Sequence, residues 1–132
     1  MRVLFDTNVL VSGILFGGTP RSLMRAAIRG EIDLVTSPHL LSELKELLER
    51  KFGFSAASAA AIRQELESLA DVVIAEHVPR VCRDPDDDEV LAAALQGRAT
   101  AIVTGDADLL VLAAHGGIEI IDPATLAARL AS

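Results

Sequence analysis

Short apolar runs alternate along the chain with longer segments whose apolar residues recur every three to four positions. Arg2–Leu4 leads into Phe5-Asp6-Thr7-Asn8, which reads as a buried strand with Asp6 at its carboxyl end. Gly17-Gly18-Thr19-Pro20 then breaks the chain. Thr19 as N-cap and Pro20 as first helical residue predict a helix over Arg21–Arg29 that stops at Gly30. Ile32–Thr36 reads as a second strand, and Ser37-Pro38 opens a helix through Leu48. Leu40, Leu41, Leu44, Leu47 and Leu48 share one face of it. Beyond Gly53, Ser55–Leu69 is an alanine-rich helix with Ile62, Leu66 and Leu69 in phase. Val72–Ala75 is a candidate strand, and a helix from about Asp86 to Gln96 ends at Gly97. Ala101–Thr104 is the next buried strand, before a short helix over Leu109–Ala114. A strand at Ile118–Ile121 and a helix at Pro123–Leu130 complete the chain. Such alternation predicts an α/β fold, a mainly parallel central sheet flanked by helices and joined by right-handed crossovers. No linker-like segment or internal repeat interrupts it, so residues 1–132 are expected to form one domain.

Composition narrows the function. With 132 residues, 51% of them hydrophobic, the chain is large enough to bury a core without staples. A mean hydropathy of +0.40 excludes intrinsic disorder. The apolar run Val9–Phe16 is too short to cross a bilayer, and no targeting pattern opens the sequence. One cysteine, Cys82, forms no internal disulfide, and a cytoplasmic location without membrane association is expected. The histidines, His39, His77 and His115, lie far apart in sequence, so no zinc site is expected. Twelve basic against nineteen acidic residues give a net charge of −7, and there is no Trp or Tyr. Both facts exclude a generic nucleic-acid coat or a base-stacking platform.

The acids are unevenly placed. Ligands of open α/β sheets collect at the carboxyl ends of the strands, and both Asp6 and Asp106 fall at such ends. Each also suits the cap of the helix or turn after it. In the run Asp84, Asp86, Asp87, Asp88, Glu89, helix phase puts Asp87 near the middle of the Val90, Leu91, Ala94 and Leu95 face. Asp88 falls a quarter-turn aside, while Asp86 and Glu89 point away. First-turn acids favour the helix dipole, which accounts for the rest of the run but not for a carboxylate on a core-facing stripe. Glu43 flanks the leucine face of its helix, three residues from Leu40 and four from Leu47. If Asp6, Glu43, Asp87 and Asp106 converge, each close pair costs on the order of 4 kcal/mol at a near-surface dielectric. Protonation or a cation relieves that cost. An all-oxygen ligand set selects Mg²⁺ or Mn²⁺, an arrangement suited to activating water against a phosphodiester.

Taken in order, Asp6-Thr7-Asn8, Ser37-Pro38 with Glu43 on a leucine-rich helix, Asp84-Pro85-Asp86-Asp87-Asp88, and Val103-Thr104-Gly105-Asp106 resemble the PIN-domain family. Among its members the chain is similar to the VapC-type toxins of toxin–antitoxin pairs. The resemblance implies a Rossmann-like PIN fold and a Mg²⁺- or Mn²⁺-dependent endoribonuclease with Asp6, Glu43 and Asp106 as catalytic acids. Its third acid falls on Asp87 or Asp88. Helix phase favours Asp87, with Asp88 as an additional metal ligand. Thr7, Asn8 and Thr104 match polar positions that support the cluster. The same resemblance implies an RNA substrate, an antitoxin protein partner and a homodimer. Arg21, Arg25 and Arg83 are candidate RNA contacts, although the repeat of Arg21 and Arg25 equally suits a solvated helix face.

Two rival readings follow from the same residues. A catalytically idle PIN-like module would bind RNA or protein without cutting. An Asp-dependent phosphatase or receiver-like domain would use Asp6 as nucleophile or phosphate acceptor. Asn8 stands where such a phosphatase carries a second Asp. The only lysines, Lys45 and Lys51, do not follow a later strand.

Overall fold

The computed structural model describes all 132 residues. Six strands form one sheet: β1 (Arg2–Phe5), β2 (Asp33–Thr36), β3 (Asp71–Val72), β4 (Ala101–Val103), β5 (Ala114–His115) and β6 (Ile118–Ile121). Their order is β3-β2-β1-β4-β6-β5, parallel throughout except for the β5–β6 edge pair. Seven helices connect them: α1 (Thr7–Leu15), α2 (Gly18–Ile28), α3 (Pro38–Arg50), α4 (Ala56–Leu69), α5 (Pro85–Gln96), α6 (Ala107–Leu110) and α7 (Pro123–Ala131).

Strand alternation divides the core into two layers. Val3, Phe5, Leu34, Ala101 and Val103 pack on one face against α1, α2, α3, α4 and α7. Leu4, Val35, Ile102 and Ile120 pack on the other, chiefly against Val90, Leu91, Ala93 and Ala94 of α5. β1 lies between β2 and β4. The chain leaves β1 towards β2 on one side and reaches β4 from the other, so the crevice between β1 and β4 is where the winding reverses.

Sequence pattern missed α1. Val9, Leu10 and Val11 are all buried, and with only Asn8 and Ser12 as polar residues on its outer side the helix carries a weak 3.6-residue periodicity. A Cβ on Gly13 would meet Met24 Cγ at 2.6 Å and the Pro20 carbonyl oxygen at 3.1 Å, so glycine is what lets α2 cross α1 closely. The second helix begins at Gly18, capped by Gly17, and not at Arg21. The strand expected over Val72–Ala75 is only Asp71–Val72, and regular structure does not resume until α5. The short helix expected over Leu109–Ala114 lies at Ala107–Leu110, with the edge strand β5 following.

Candidate active site

Four elements deliver carboxylates to the carboxyl edge of the sheet. Asp6 directly follows β1 and caps α1, its Oδ1 accepting from the Val9 N–H at 2.9 Å. Its Oδ2 accepts from the Thr104 hydroxyl, just beyond β4. The same Thr104 oxygen accepts from the Asp106 N–H at 2.9 Å, and Asp106 caps α6 through Asp108 and Leu109. Capping and cleft placement are therefore not alternatives here, since both aspartates do both. Ser37 and Pro38 start α3, which carries Glu43 to the cleft, where it accepts a hydrogen bond from the Thr7 hydroxyl. Asp84 and Pro85 start α5 and set Asp87 in its first turn.

The resulting cleft, about 150 Å³, is lined by Asp6, Thr7, Asn8, Glu43, Leu47, Asp84, Asp86, Asp87, Val90 and Asp106. No basic side chain lines it. Burial pushes the Asp6 carboxyl up, against the lowering effect of its Thr104 and Val9 donors and with Asp106 adding to the rise. Glu43 is raised by burial, with the nearby Asp86 adding to the shift and Thr7 opposing it. Asp87 is pushed up to about 6, first by burial and then by Asp106, Asp84, Asp108 and Asp6. Its carboxylate has no hydrogen-bond donor to offset either effect, although the residue is only 8% exposed. A buried anion without a donor, facing four further carboxylates, is a charge arrangement that a divalent cation would relieve. One carboxylate oxygen each of Asp87, Asp106 and Asp108 lie within 4.8 Å of one another. The donors are carboxylate oxygens, so the set fits a hard divalent ion.

Not every residue expected at the site lines it. Asp88 is buried on the neighbouring flank of α5, where its Oδ1 accepts from the Val81 and Cys82 N–H groups, both at 2.9 Å. Those donors hold its carboxyl below the usual range. Arg83 sits at the rim and pairs with Asp108 at 2.8 Å. Arg21 donates to the Gly13 and Ile14 carbonyls at the end of α1. With Arg25 it lines a separate apolar groove, which shares no residue with the acidic cleft. Asp84 and Asp86, by contrast, both line the cleft. The helix phase that turns Asp86 away from the sheet does not turn it away from the site. Its flank instead faces α3, where Asp86 Oδ1 lies 3.0 Å from His39 Nε2.

A family model described as PIN domain matches residues 2–108. No curated protein matches the chain. Three solved structures share the fold. PAE2754 from Pyrobaculum aerophilum is 20% identical, with a TM-score of 0.63 over 99% of this chain and 90% of its own. VapBC2 from Rickettsia felis, bound to a DNA fragment from their promoter, is 12% identical, with a TM-score of 0.60 over 92% and 98%. VapC20 from Mycobacterium tuberculosis, described as a Sarcin-Ricin loop cleaving toxin, is 23% identical, with a TM-score of 0.58 over 89% and 98%.

Proposed function

The chain belongs to the PIN domain family, and from that premise we propose that it is a divalent-metal-dependent endoribonuclease, the toxin of a toxin–antitoxin pair. The observation that carries this reading is the donor-free, buried Asp87 in a cleft that also holds Asp6, Glu43 and Asp106. Mg²⁺ or Mn²⁺ suits oxygen donors of this kind. Asp6, Asp87 and Asp106 would hold the ion, and Glu43 would face the same space from α3. Such an ion, when bound, supplies charge neutralisation at a phosphodiester and makes water more acidic.

The chain's own residues orient that chemistry. Thr104 and the Val9 N–H fix the Asp6 carboxylate against rotation. Thr7 does the same for Glu43, and burial and then the neighbouring Asp86 raise its affinity for a proton, which suits the group to take one from an attacking water. Asn8, exposed at the cleft mouth, offers a neutral donor to a phosphate oxygen. Arg83 is the basic side chain best placed to meet an RNA backbone, since its partner Asp108 belongs to the acidic group itself.

A protein partner is part of the proposal. VapBC2 is a complex, and this chain carries an apolar groove of about 560 Å³ lined by Ile14, Met24, Ile28, Ile62, Leu66 and Leu69. Phe16 and Ile28 are exposed. An antitoxin segment or a second copy of the chain would cover such surface. No helix is long and apolar enough to cross a membrane; the RNA proposed as substrate is cytoplasmic.

The test is cleavage of a mixed RNA pool by the metal-free protein, with Mg²⁺ or Mn²⁺ restored and with EDTA. Restoration by the ion, loss with EDTA and loss in Asp6→Asn are expected. RNA that is retained but never cut, with or without the ion, overturns the enzyme reading.

A further inference from the structure

At the α3 rim of the acidic cleft, sharing Glu43 and Asp86 with its lining, lies a second cluster with different chemistry. His39 and Glu43 are one helical turn apart on α3, and Asp86 approaches them from the first turn of α5. One ligand atom of each lies within 4.8 Å of the other two, and His39 Nε2 is 3.0 Å from Asp86 Oδ1. Ligands about 2.1 Å from a common metal stand roughly 3.0–3.5 Å apart at adjacent positions. The His39–Asp86 separation already meets that, and both side chains are exposed enough to adjust, at 40% and 53%. Glu43 is oriented by Thr7.

An ion pair between the two helices accounts for His39 and Asp86, and Glu43, held by Thr7 at the cleft, stands beside that pair. That third group brings a second carboxylate against the same imidazole. No Lys or Arg pairs with Glu43 or Asp86. One imidazole nitrogen with two carboxylates is a borderline donor set. It favours Zn²⁺, Co²⁺, Ni²⁺ or Mn²⁺ over Mg²⁺, which prefers oxygen alone.

We propose that His39, Glu43 and Asp86 form a second cation site, selective for a first-row transition ion and bridging α3 to α5 at the edge of the cleft. Sequence spacing gave no sign of it, because the histidines are isolated along the chain and Asp86 joins His39 only through helix packing. Such a site is separate from the oxygen-only group at Asp87 and Asp106, and it holds whether or not the cleft cuts RNA.

The experiment is calorimetric titration of the metal-free full chain with Zn²⁺ in the presence of excess Mg²⁺, with Co²⁺ as an absorbing probe. Wild type should take up one Zn²⁺ that Mg²⁺ does not displace, and Co²⁺ should give ligand-field bands there. His39→Ala should lose this event, with an affinity drop of about 100-fold or more, and Asp86→Asn should weaken it. Asp106→Asn should keep it. The proposal is overturned if His39→Ala binds Zn²⁺ as tightly as wild type, or if excess Mg²⁺ removes the wild-type event. Failure of the nuclease reading looks different: Zn²⁺ still binds, yet neither Mg²⁺ nor Mn²⁺ supports cleavage. His39 is exposed, so far-UV circular dichroism should show its variant folded.

Discussion

The Thr104 hydroxyl donates to Asp6 Oδ2 and accepts from the Asp106 N–H, so one fully buried side chain couples the acids that follow β1 and β4. Adjacent parallel strands bring their ends together, and this bridge, with the Val9 N–H on the other oxygen, sets the angle of the Asp6 carboxylate. Thr104→Val keeps the shape and removes both hydrogen bonds. Asp6 would then be buried with one oxygen unpartnered, at a cost of about 1–3 kcal/mol. Cleavage should fall by roughly 10–100-fold through poorer cation affinity. Thr104→Ser should restore most of both, as read by denaturant midpoints and single-turnover rates.

Arg83 is exposed and its ion pair with Asp108 is a surface pair. Removing it with Arg83→Ala should leave stability within about 0.5 kcal/mol of wild type. RNA affinity should weaken at every sequence tested. The slope of log affinity against log salt should shrink by about one, as for the loss of one phosphate contact. An unchanged slope would remove Arg83 from the RNA-binding surface.

Asp88 anchors the irregular segment before α5 through the Val81 and Cys82 N–H groups. Its charge also acts on the Cys82 thiol, which burial and then Asp88 push up to about 11. Little thiolate exists near neutral pH, so wild-type Cys82 should alkylate slowly. Asp88→Asn removes the charge and loosens the segment, and both effects speed labelling. Iodoacetamide rates across pH 7–10, all below the wild-type pKa of about 11, should show the variant faster throughout. Amide exchange at Val81 and Cys82 should quicken as well.

How much of this site shows in the sequence depends on which physical relationship carries each residue. Asp6 and Asp106 are legible because a parallel sheet puts strand ends at one edge, whatever else the fold does. Asp87 is legible because helix phase sets it on the stripe facing the sheet. Asp88 and Asp86 are harder, since their partners are backbone N–H groups of an irregular segment and a histidine on another helix. Neither partner is fixed by local periodicity. The helix after Asp6 is hidden for a different reason: Val9, Leu10 and Val11 run together as buried residues, and only Asn8 and Ser12 mark its outer side.

Asp87 makes the metal-free protein pH-sensitive in a defined direction. Its folded pKa of about 6 lies above the ordinary 3.8, so the folded form binds the proton more tightly than the unfolded chain does. That contribution is fully present below about pH 4 and is lost as pH rises to about 6. Asp6 and Glu43, also raised, act in the same sense. The difference for Asp87 is equivalent to at most ~3 kcal/mol, and solvent in the open cleft reduces it to about 1–2 kcal/mol. Below about pH 4 the depressed acids Asp88, Glu119 and Asp122 work the other way, so the useful comparison is between variants at each pH. In EDTA, Asp87→Asn should be more stable than wild type above pH 6 and should match it near pH 4. Mg²⁺ or Mn²⁺ should raise the wild-type Tm above pH 6, less so below pH 5 where protons compete, and should barely move the variant. Thermal denaturation of both proteins with and without the ion decides it. A variant that is less stable than wild type in EDTA at neutral pH would mean that Asp87 is not held against its neighbours' charge.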